Sequence, residues 1–432
     1  MAKTTFIAAG DAFVTKRMPK GGYEGFEEIQ ACVKAHDVAF INLESTFHDR
    51  EGIPASVSGG TWAMSDPNTL DDIKEYGFNL FNTANNHSGD YSHTGILATI
   101  RNLKERGMIF AGTGKDLGDA AKACYLETRN ARVALLACSD CPATASAMAG
   151  AQTADLPGRP GLNPMRCQKR RHVDPERYEA LKDLAAVSYV NAAKERSIAT
   201  GYAAPFAEGQ LPFGAESFVL DDHCWVESYP HKGDMERMCN EIREAKKQAD
   251  IVLVSIHTHA YDYKETNIPS GYIEKFAHNC IDAGADVIIG HGPHELQGIE
   301  LYKNGLIFYS IGNYIFETET VEYQPWDAYT NMGYTPDMKV GEYMNRRSKN
   351  GTVGYGVLPE IWNAVMAAWE MEDGKLTGVQ LYPVTLGQEK KRSQKGRPVM
   401  NKSEETLQYL AKLSEPYGTK IDIVDGVGYI RF

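Results

Sequence analysis

The chain has 432 residues, a formal net charge of -12 at pH 7 and a hydrophobic share of 43%. This length suffices for two average domains or for one large α/β domain with insertions, and we expect the second arrangement. The lack of a basic excess argues against a general nucleic-acid-binding protein. No stretch approaches the length needed to cross a bilayer, so the sequence predicts a cytoplasmic protein without a membrane span.

Two predicted strands near the amino terminus carry acidic side chains to their ends. The strand at 5–9 is followed by Asp11, and the strand at 38–44 places Asn42 and Glu44 on one side because side chains alternate along a strand. Functional side chains are often placed where strands end. Both acids are therefore candidate site residues, with an ordinary turn aspartate as the alternative for Asp11.

The next predicted strand, 79–83, runs into a concentration of amides and an imidazole. Asn85, Asn86 and His87 follow this strand closely, and Asp90 lies three residues further along. Amides and imidazoles serve as hydrogen-bonding groups, and imidazole is also a common metal ligand. The segment therefore favours a functional role over a purely structural one.

The eight cysteines are scattered along the chain, which favours reduced thiols over a disulfide framework. Cys138 and Cys141 form a CxxC pair, but no second pair follows at the spacing of a zinc ribbon. We therefore favour two ordinary thiols over a redox or zinc role for this pair.

An apolar run at 250–256 predicts a strand that is buried on both faces of a sheet. The run ends in His257 and His259, and we expect the two rings to project to one side. These imidazoles are therefore further candidates for the same strand-end site.

The segment from Asp286 to His294 predicts a short strand that Gly290 interrupts, with two histidines on the loop that leaves it. We expect Gly290 and Gly292 to permit a tight turn that holds His291 and His294 in a narrow range of orientations. Rigid paired imidazoles suit metal ligation or proton transfer. The alternative is two polar loop residues.

Strands alternate with helices at short spacing, which is typical of a βαβ layout with a mixed or parallel sheet. We predict one domain over 1–388, with insertions at about 142–231 and 317–359, followed by a linker, helix and strand over 389–432. The first insertion is the expected source of substrate specificity. The Gly- and Ser-rich loop that ends at Trp62 is a candidate ligand cover, with an ordinary surface loop as the alternative.

Six motifs together resemble the CapA family of bacterial capsule-synthesis proteins, the PGA_cap domain of poly-γ-glutamate biosynthesis. The resemblance covers about residues 4–316 apart from the first insertion. The motifs are Gly10-Asp11, Asn42-Leu-Glu44, Ala84-Asn-Asn-His87, the segment at His257, Gly290-His-Gly-Pro-His294 and Tyr309-Ser-Ile-Gly-Asn313. This family looks like a branch of the calcineurin-like metallophosphatases, so the resemblance implies an α/β fold, namely a four-layer α/β/β/α sandwich with its site at the strand ends.

The resemblance also implies a divalent metal site with one or two ions. By position, Glu44 would bridge two metals and His87 would protonate a leaving group. One metal would be held by Asp11 and His294, and the other by Asn86, His257 and His291. Oxygen and imidazole ligands suit Mn, Zn or Fe.

The sequence departs from the phosphatase pattern at two of these positions. Phe13 stands where the first motif normally supplies a histidine, and Glu44 replaces an aspartate. One metal would therefore lack a ligand, which leaves a metal-free pocket as an alternative.

The resemblance and the strand-end pattern favour a hydrolase that cleaves an amide, γ-glutamyl or ester bond in a small-molecule or peptide-like substrate. Its expected catalytic residues are His87, Asp11, His259 and His294. The expected substrate-binding residues are Asn42, Asn85, Trp62 and Asn313. The alternatives are a metal-independent isomerase or epimerase that uses the same pocket, and a non-catalytic capsule-assembly protein. The sequence leaves the oligomeric state open.

Overall fold

The computed structural model describes residues 3–431, and within them two mixed sheets of parallel and antiparallel strands form the centre of the main unit, residues 3–166 and 232–431. The strands of the first sheet are, in spatial order, Ile421–Val424, Val427–Ile430, Lys375–Thr385, Asn363–Glu372, Thr4–Phe13, Val38–Leu43, Leu80–Asn82 and Phe110–Ala111. Asn313–Phe316 also pairs with Thr4–Phe13, and Val399–Met400 pairs with Lys375–Thr385. The strands of the second sheet are Ile299–Tyr302, Gly305–Phe308, Val287–His291, Ile251–His257, Arg132–Ser139 and Cys124–Glu127.

The two sheets pack face to face around one hydrophobic core. Phe6 and Phe40 of the first sheet belong to the same buried cluster as Leu253 and Phe308 of the second. Phe6 also stacks on Trp369, with ring centroids 5.1 Å apart. Close packing of apolar side chains on both inner faces holds the sheets together.

Helices cover the outer faces of both sheets. Phe26, Ile29 and Val33 recur at helical spacing and bury one side of the helix Phe26–Lys34 against the first sheet. The other helices of the main unit are Thr69–Tyr76, Ser92–Glu105, Leu117–Ala121, Lys232–Lys246, Gly271–Ala283, Trp326–Asn331, Val340–Arg347 and Glu405–Ser414. The predicted four-layer α/β/β/α sandwich is confirmed.

A second compact unit comprises Cys167–His231 and is described by itself. Its strands pair in the order Leu211–Phe213, Glu216–Leu220, Cys167–Val173 and Trp225–Pro230. Its helices, Pro175–Ser188 and Ala192–Ala199, contain no fully buried residue.

The expected domain limits stay predictions. The structure shows which strands two segments of those regions pair with. Gly161–Leu162, within the first expected insertion, pairs with Thr113–Gly114 of the main unit. In the expected carboxyl-terminal extension, Val427–Ile430 pairs with Lys375–Thr385 and so joins the first sheet. Over residues 3–431, no helix combines the length and apolar character that a membrane span requires.

Candidate metal centre

Parallel strands from both sheets bring the predicted acids and histidines to one edge of the sandwich. Asp11 and Asn42 are register partners in the first sheet, and His257 and His291 are register partners in the second. The carboxyl ends of parallel strands meet at one edge of a sheet. Contacts between side chains of the two sheets close the site.

Asp11 is fully buried at the centre of this cluster. Its carboxylate accepts hydrogen bonds from Asn42 Nδ2 at 2.7 Å and from the backbone N–H of Gly292 at 3.0 Å. Three imidazoles also lie within 3.4 Å of it, those of His257, His291 and His294. Burial alone would raise the pKa of Asp11, but the hydrogen bonds from these imidazoles outweigh that effect and hold the pKa well below its usual range.

His257 and His291 form a buried pair whose Nδ1 atoms lie 3.0 Å apart. One ring must donate and the other accept, so the accepting imidazole is neutral. His291 Nε2 is hydrogen-bonded to the Ser255 hydroxyl at 2.8 Å. Burial lowers the pKa of His257 to about 4, against the opposing influence of Asp11. The imidazole of His257 is therefore neutral at physiological pH, which suits it to metal binding.

Glu44 is fully buried, and neither of its carboxylate oxygens has a hydrogen-bond partner among the described residues. Its Oε1 lies 3.7 Å from Nε2 of both His257 and His294 and 3.9 Å from Nε2 of His87. Burial raises the pKa of Glu44 well above its usual range, and the charge of Asp11 reinforces this rise. A buried carboxylate without partners is costly unless a cation neutralises it.

His294 has a strained backbone, with φ at 65°, in the left-handed region that residues other than glycine rarely adopt. Its Nδ1 is hydrogen-bonded to Asn313 Oδ1 at 2.9 Å, and Asn313 Nδ2 donates to the carbonyl of His294 at 3.1 Å. Burial lowers the pKa of His294, but Glu44 and Asp11 outweigh this effect and raise it to about 9. These contacts fix the ring between the two acids.

His87 is oriented by a carboxylate on the opposite side from Glu44. Its Nδ1 donates to Asp90 Oδ2 at 2.7 Å, which leaves Nε2 directed to Glu44. Asp90 is itself fully buried and also accepts from the backbone N–H groups of Gly59 and Ala63. His87 is therefore held in a single orientation at the edge of the cluster.

Several buried atoms of ligand type around this cluster have no hydrogen-bond partner among the described residues. They include both oxygens of Glu44, Nε2 of His257 and His259, and Oδ1 of Asn86. Asn86 Nδ2 donates to the carbonyl of Gly59 at 2.9 Å, so only its oxygen is free for a ligand. Unpaired buried carboxylate, amide and imidazole atoms fit a divalent cation.

Two groups consist of oxygen and nitrogen ligand atoms that lie within 4.8 Å of one another. One group is Asp11, His257 and His291, and the other is Glu44, His259 and His294. This grouping differs from the expected division, which placed His294 with Asp11 and left His259 outside the ligand set. The assignment of each ligand stays a prediction.

The four expected substrate-binding residues do not line the cavity beside the cluster. Asn85 Nδ2 donates to Asn42 Oδ1 at 3.2 Å and to the carbonyl of Leu43 at 2.7 Å, so the two amides brace the second strand end. Asn313 holds His294, as described above. Trp62 is buried in a hydrophobic cluster, and its Nε1 donates to the carbonyl of Ala55 at 2.9 Å. In this structure these side chains position other groups.

A cavity of about 310 Å³ opens onto the cluster. His87, His259 and His294 form its inner wall, and Arg347 and Tyr355 contribute to its outer wall. The guanidinium of Arg347 donates to the Thr61 hydroxyl, which connects the helix Val340–Arg347 to the loop before Trp62. The cavity is large enough for a small polar substrate next to the unpaired ligand atoms.

The expectation for Gly290 was wrong in one respect. The strand Val287–His291 continues through Gly290, so His291 lies on the strand and only His294 lies on the loop. A Cβ at Gly290 would lie 2.1 Å from the carbonyl oxygen of Tyr309, so glycine is needed for the close approach of the neighbouring backbone. Gly292, with φ at 117°, makes the turn that was expected.

Sequence analysis missed several contributors to this site. Ser255 is one residue of an apolar strand and gives no sign of its contact with His291. Arg347 and Tyr355 lie in the irregular stretch 317–359, where no motif marks them. Cys141 was interpreted as an ordinary thiol, yet its sulfur lies within 4.8 Å of ligand atoms of two site histidines.

Comparisons with known proteins found a matching family profile and several similar proteins. Residues 5–318 match the profile of the bacterial capsule synthesis protein family PGA_cap. The uncharacterized protein y4sH of Sinorhizobium fredii is 31% identical over 440 residues, which covers 99% of this chain and 93% of that protein. The capsule biosynthesis protein CapA of Bacillus anthracis is 29% identical over 292 residues, which covers 67% of this chain and 49% of that protein. The PGA biosynthesis protein CapA of Bacillus subtilis is 26% identical over 382 residues, which covers 83% of this chain and 76% of that protein.

Proposed function

The chain belongs to the PGA_cap family of bacterial capsule synthesis proteins, and we propose that it is a metal-dependent hydrolase of amide, γ-glutamyl or ester bonds in poly-γ-glutamate metabolism. The observation that carries this proposal is that buried ligand atoms of Glu44, His257 and His259 have no hydrogen-bond partner among the described residues, next to a cavity that His259 lines. A non-catalytic assembly protein would have no need to leave these atoms unpaired, because each one costs free energy of folding.

The side chains have separable roles in this proposal. Asp11 and Glu44, with the histidines of the two groups, would hold one or two ions of Mn, Zn or Fe. When bound, such an ion would supply a Lewis acid and would lower the pKa of a water molecule. Asn42 and Asn313 keep Asp11 and His294 in position through the hydrogen bonds described above. The cavity walls orient the substrate and exclude bulk water.

His87 is placed to act as the general acid. Its Nε2 faces the cluster, while Asp90 accepts the hydrogen on Nδ1 and stabilises the imidazolium. This arrangement delivers a proton to the leaving nitrogen or oxygen as the bond to it breaks. The edge-to-face contact with Phe13, with centroids 5.0 Å apart, limits rotation of the ring.

The test combines metal analysis with turnover of γ-glutamyl and ester substrates by the full chain. We expect protein purified without chelator to contain Mn, Zn or Fe, and we expect Asp11→Asn and His291→Ala to lose both metal and turnover. His278→Ala is the matched control, because His278 pairs with Glu300 away from the cluster. Full activity of metal-free protein would refute the proposal. Deuterium exchange from solvent into recovered substrate would instead favour an isomerase or epimerase.

A further inference from the structure

We propose that Cys141 is a thiolate ligand of the metal centre, where it binds together with His257 and His259. The inference rests on the proposed metal-dependent function and adds a sulfur ligand to the oxygen and nitrogen ligands described above. On binding, the thiol of Cys141 would release its proton to solvent, and the resulting thiolate would donate to the ion.

Strand pairing places Cys141 at this site. The strand Arg132–Ser139 runs parallel to Ile251–His257, with Ser139 and His257 as register partners. Cys141 follows two residues after Ser139 and therefore leaves the sheet at the same edge as the histidines. Cys138 lies one residue before Ser139 and is fully buried in the strand, with its thiol donating to the carbonyl of Ser255.

Local contacts hold the sulfur close to the two imidazoles. Cys141 Sγ lies 3.7 Å from the carbonyl oxygen of His257 and 3.3 Å from the hydroxyl of Ser139. One ligand atom from each of Cys141, His257 and His259 lies within 4.8 Å of the others. A tetrahedral zinc with a sulfur bond of about 2.3 Å and nitrogen bonds of about 2.0 Å needs separations of about 3.3–3.6 Å. The observed separations therefore exceed those of a bound zinc by at most about 1.5 Å.

A second, independent observation points to a ligand here. Nε2 of His257 and Nε2 of His259 are both buried, and neither has a hydrogen-bond partner among the described residues. His259 also lines the cavity, so a fourth coordination position would open toward a substrate. Three protein ligands with one open position is the arrangement of catalytic zinc sites.

A thiolate ligand has a consequence for the choice of metal. Sulfur is a soft donor and favours Zn over Mn, whereas the carboxylates of Asp11 and Glu44 are hard donors that accept either ion. We therefore expect the group that contains Cys141 to be selective for Zn and for its spectroscopic substitute Co.

The experiment is a titration of the full chain, freed of metal by chelator, with Co²⁺ as the probe. Wild-type protein is expected to show a thiolate-to-cobalt charge-transfer band in the near ultraviolet. Cys141→Ser should lose that band, and Cys138→Ser should retain it as the matched control. Retention of the full band in Cys141→Ser would overturn the inference. Cobalt binding to wild-type protein without any such band would overturn it while leaving the metal-dependent function intact.

A second measurement uses wild-type protein only, so the inference can be tested even if Cys141→Ser fails to fold. Alkylation by iodoacetamide, followed by mass spectrometry of the peptide that contains Cys141, is compared with and without Zn²⁺. We expect Zn²⁺ to protect this thiol and to leave alkylation of exposed Cys224 unchanged. Equal alkylation of Cys141 with and without bound Zn²⁺ would overturn the inference. Absence of any metal binding would overturn the proposed function and this inference together.

Discussion

A substitution of Glu44 tests the proposed metal centre most directly, through its effect on the free energy of unfolding. Its buried carboxylate has no hydrogen-bond partner among the described residues, and its raised pKa means that ionisation is unfavourable in the folded chain. Glu44→Gln removes that charge, so in chelator it should raise the free energy of unfolding by about 1–3 kcal/mol. The same variant should gain less stability than wild type on addition of Zn²⁺. Thermal denaturation with and without metal measures both effects.

Glu317, a buried carboxylate that has hydrogen-bond partners, is the matched control for Glu44. Glu317 is also buried, but it accepts from the backbone N–H of Thr15 at 3.0 Å and from Arg397 Nε at 2.9 Å. Glu317→Gln should therefore destabilise the chain both with and without metal, because it breaks satisfied interactions. If Glu44→Gln also destabilises the metal-free protein, as Glu317→Gln should, the result would contradict the view that the Glu44 carboxylate needs a bound cation to neutralise it.

The proposed acid His87 gives a second prediction at the residue scale. His87→Gln should lower kcat by about 10²–10⁴-fold on substrates with poor leaving groups, because proton donation contributes that much. On esters with strongly acidic phenol leaving groups the loss should nearly disappear, since such groups depart without a proton. Steady-state kinetics over a leaving-group series measures this dependence. An equal loss across the whole series would instead indicate a positioning role.

At the scale of an element, His48 connects the strand end near Thr46 to the start of the helix Ser92–Glu105. Its Nδ1 accepts from the backbone N–H of Gly52 at 3.3 Å, and its ring meets Tyr91 edge to face. Burial lowers the pKa of His48 from 6.5 to about 4. Between these values the unfolded chain binds a proton that the folded chain does not, so the free energy of unfolding falls as the pH is lowered through this window.

The variant His48→Gln should flatten this part of the pH dependence. Denaturant unfolding at about pH 7, which lies above the window, and at about pH 5.5 and 4.5, which lie within it, compares this variant with wild type. His223→Gln, at an exposed histidine, serves as the control and should follow the wild-type curve. If His48→Gln and His223→Gln lose stability in parallel with wild type on acidification, then His48 does not contribute to the acid sensitivity.

The strands and loops of the site also show which of its features could be predicted from the sequence alone. The apolar runs that end in Asp11, His257 and His291 are local patterns, and parallel pairing then brings their ends together. Gly290 was misjudged because a close approach to Tyr309, which follows it by 19 positions in the sequence, leaves no local signal. Cys141 was set aside for the same reason: a CxxC spacing says nothing about histidines more than a hundred residues away.

At the scale of the whole molecule, the centre joins two sheets that the core already packs together. Asp11 and Glu44 come from the first sheet, and His257, His291 and the loop to His294 come from the second. An ion bound by both sets would link the sheets at one edge, so its binding free energy would add to the stability of the entire main unit. The second unit, Cys167–His231, supplies none of these ligands.

We therefore expect metal to stabilise the two units unequally. At free Zn²⁺ about 100-fold above its Kd, the main unit should gain about 2.7 kcal/mol. Amide hydrogen exchange with and without Zn²⁺ should show slower exchange in core strands such as Ile251–His257 and unchanged exchange in Cys167–Val173. Asp11→Asn should abolish the difference, since that carboxylate lies within reach of three of the imidazoles. Equal protection of both units would mean that the ion acts elsewhere than at the edge where the two sheets meet.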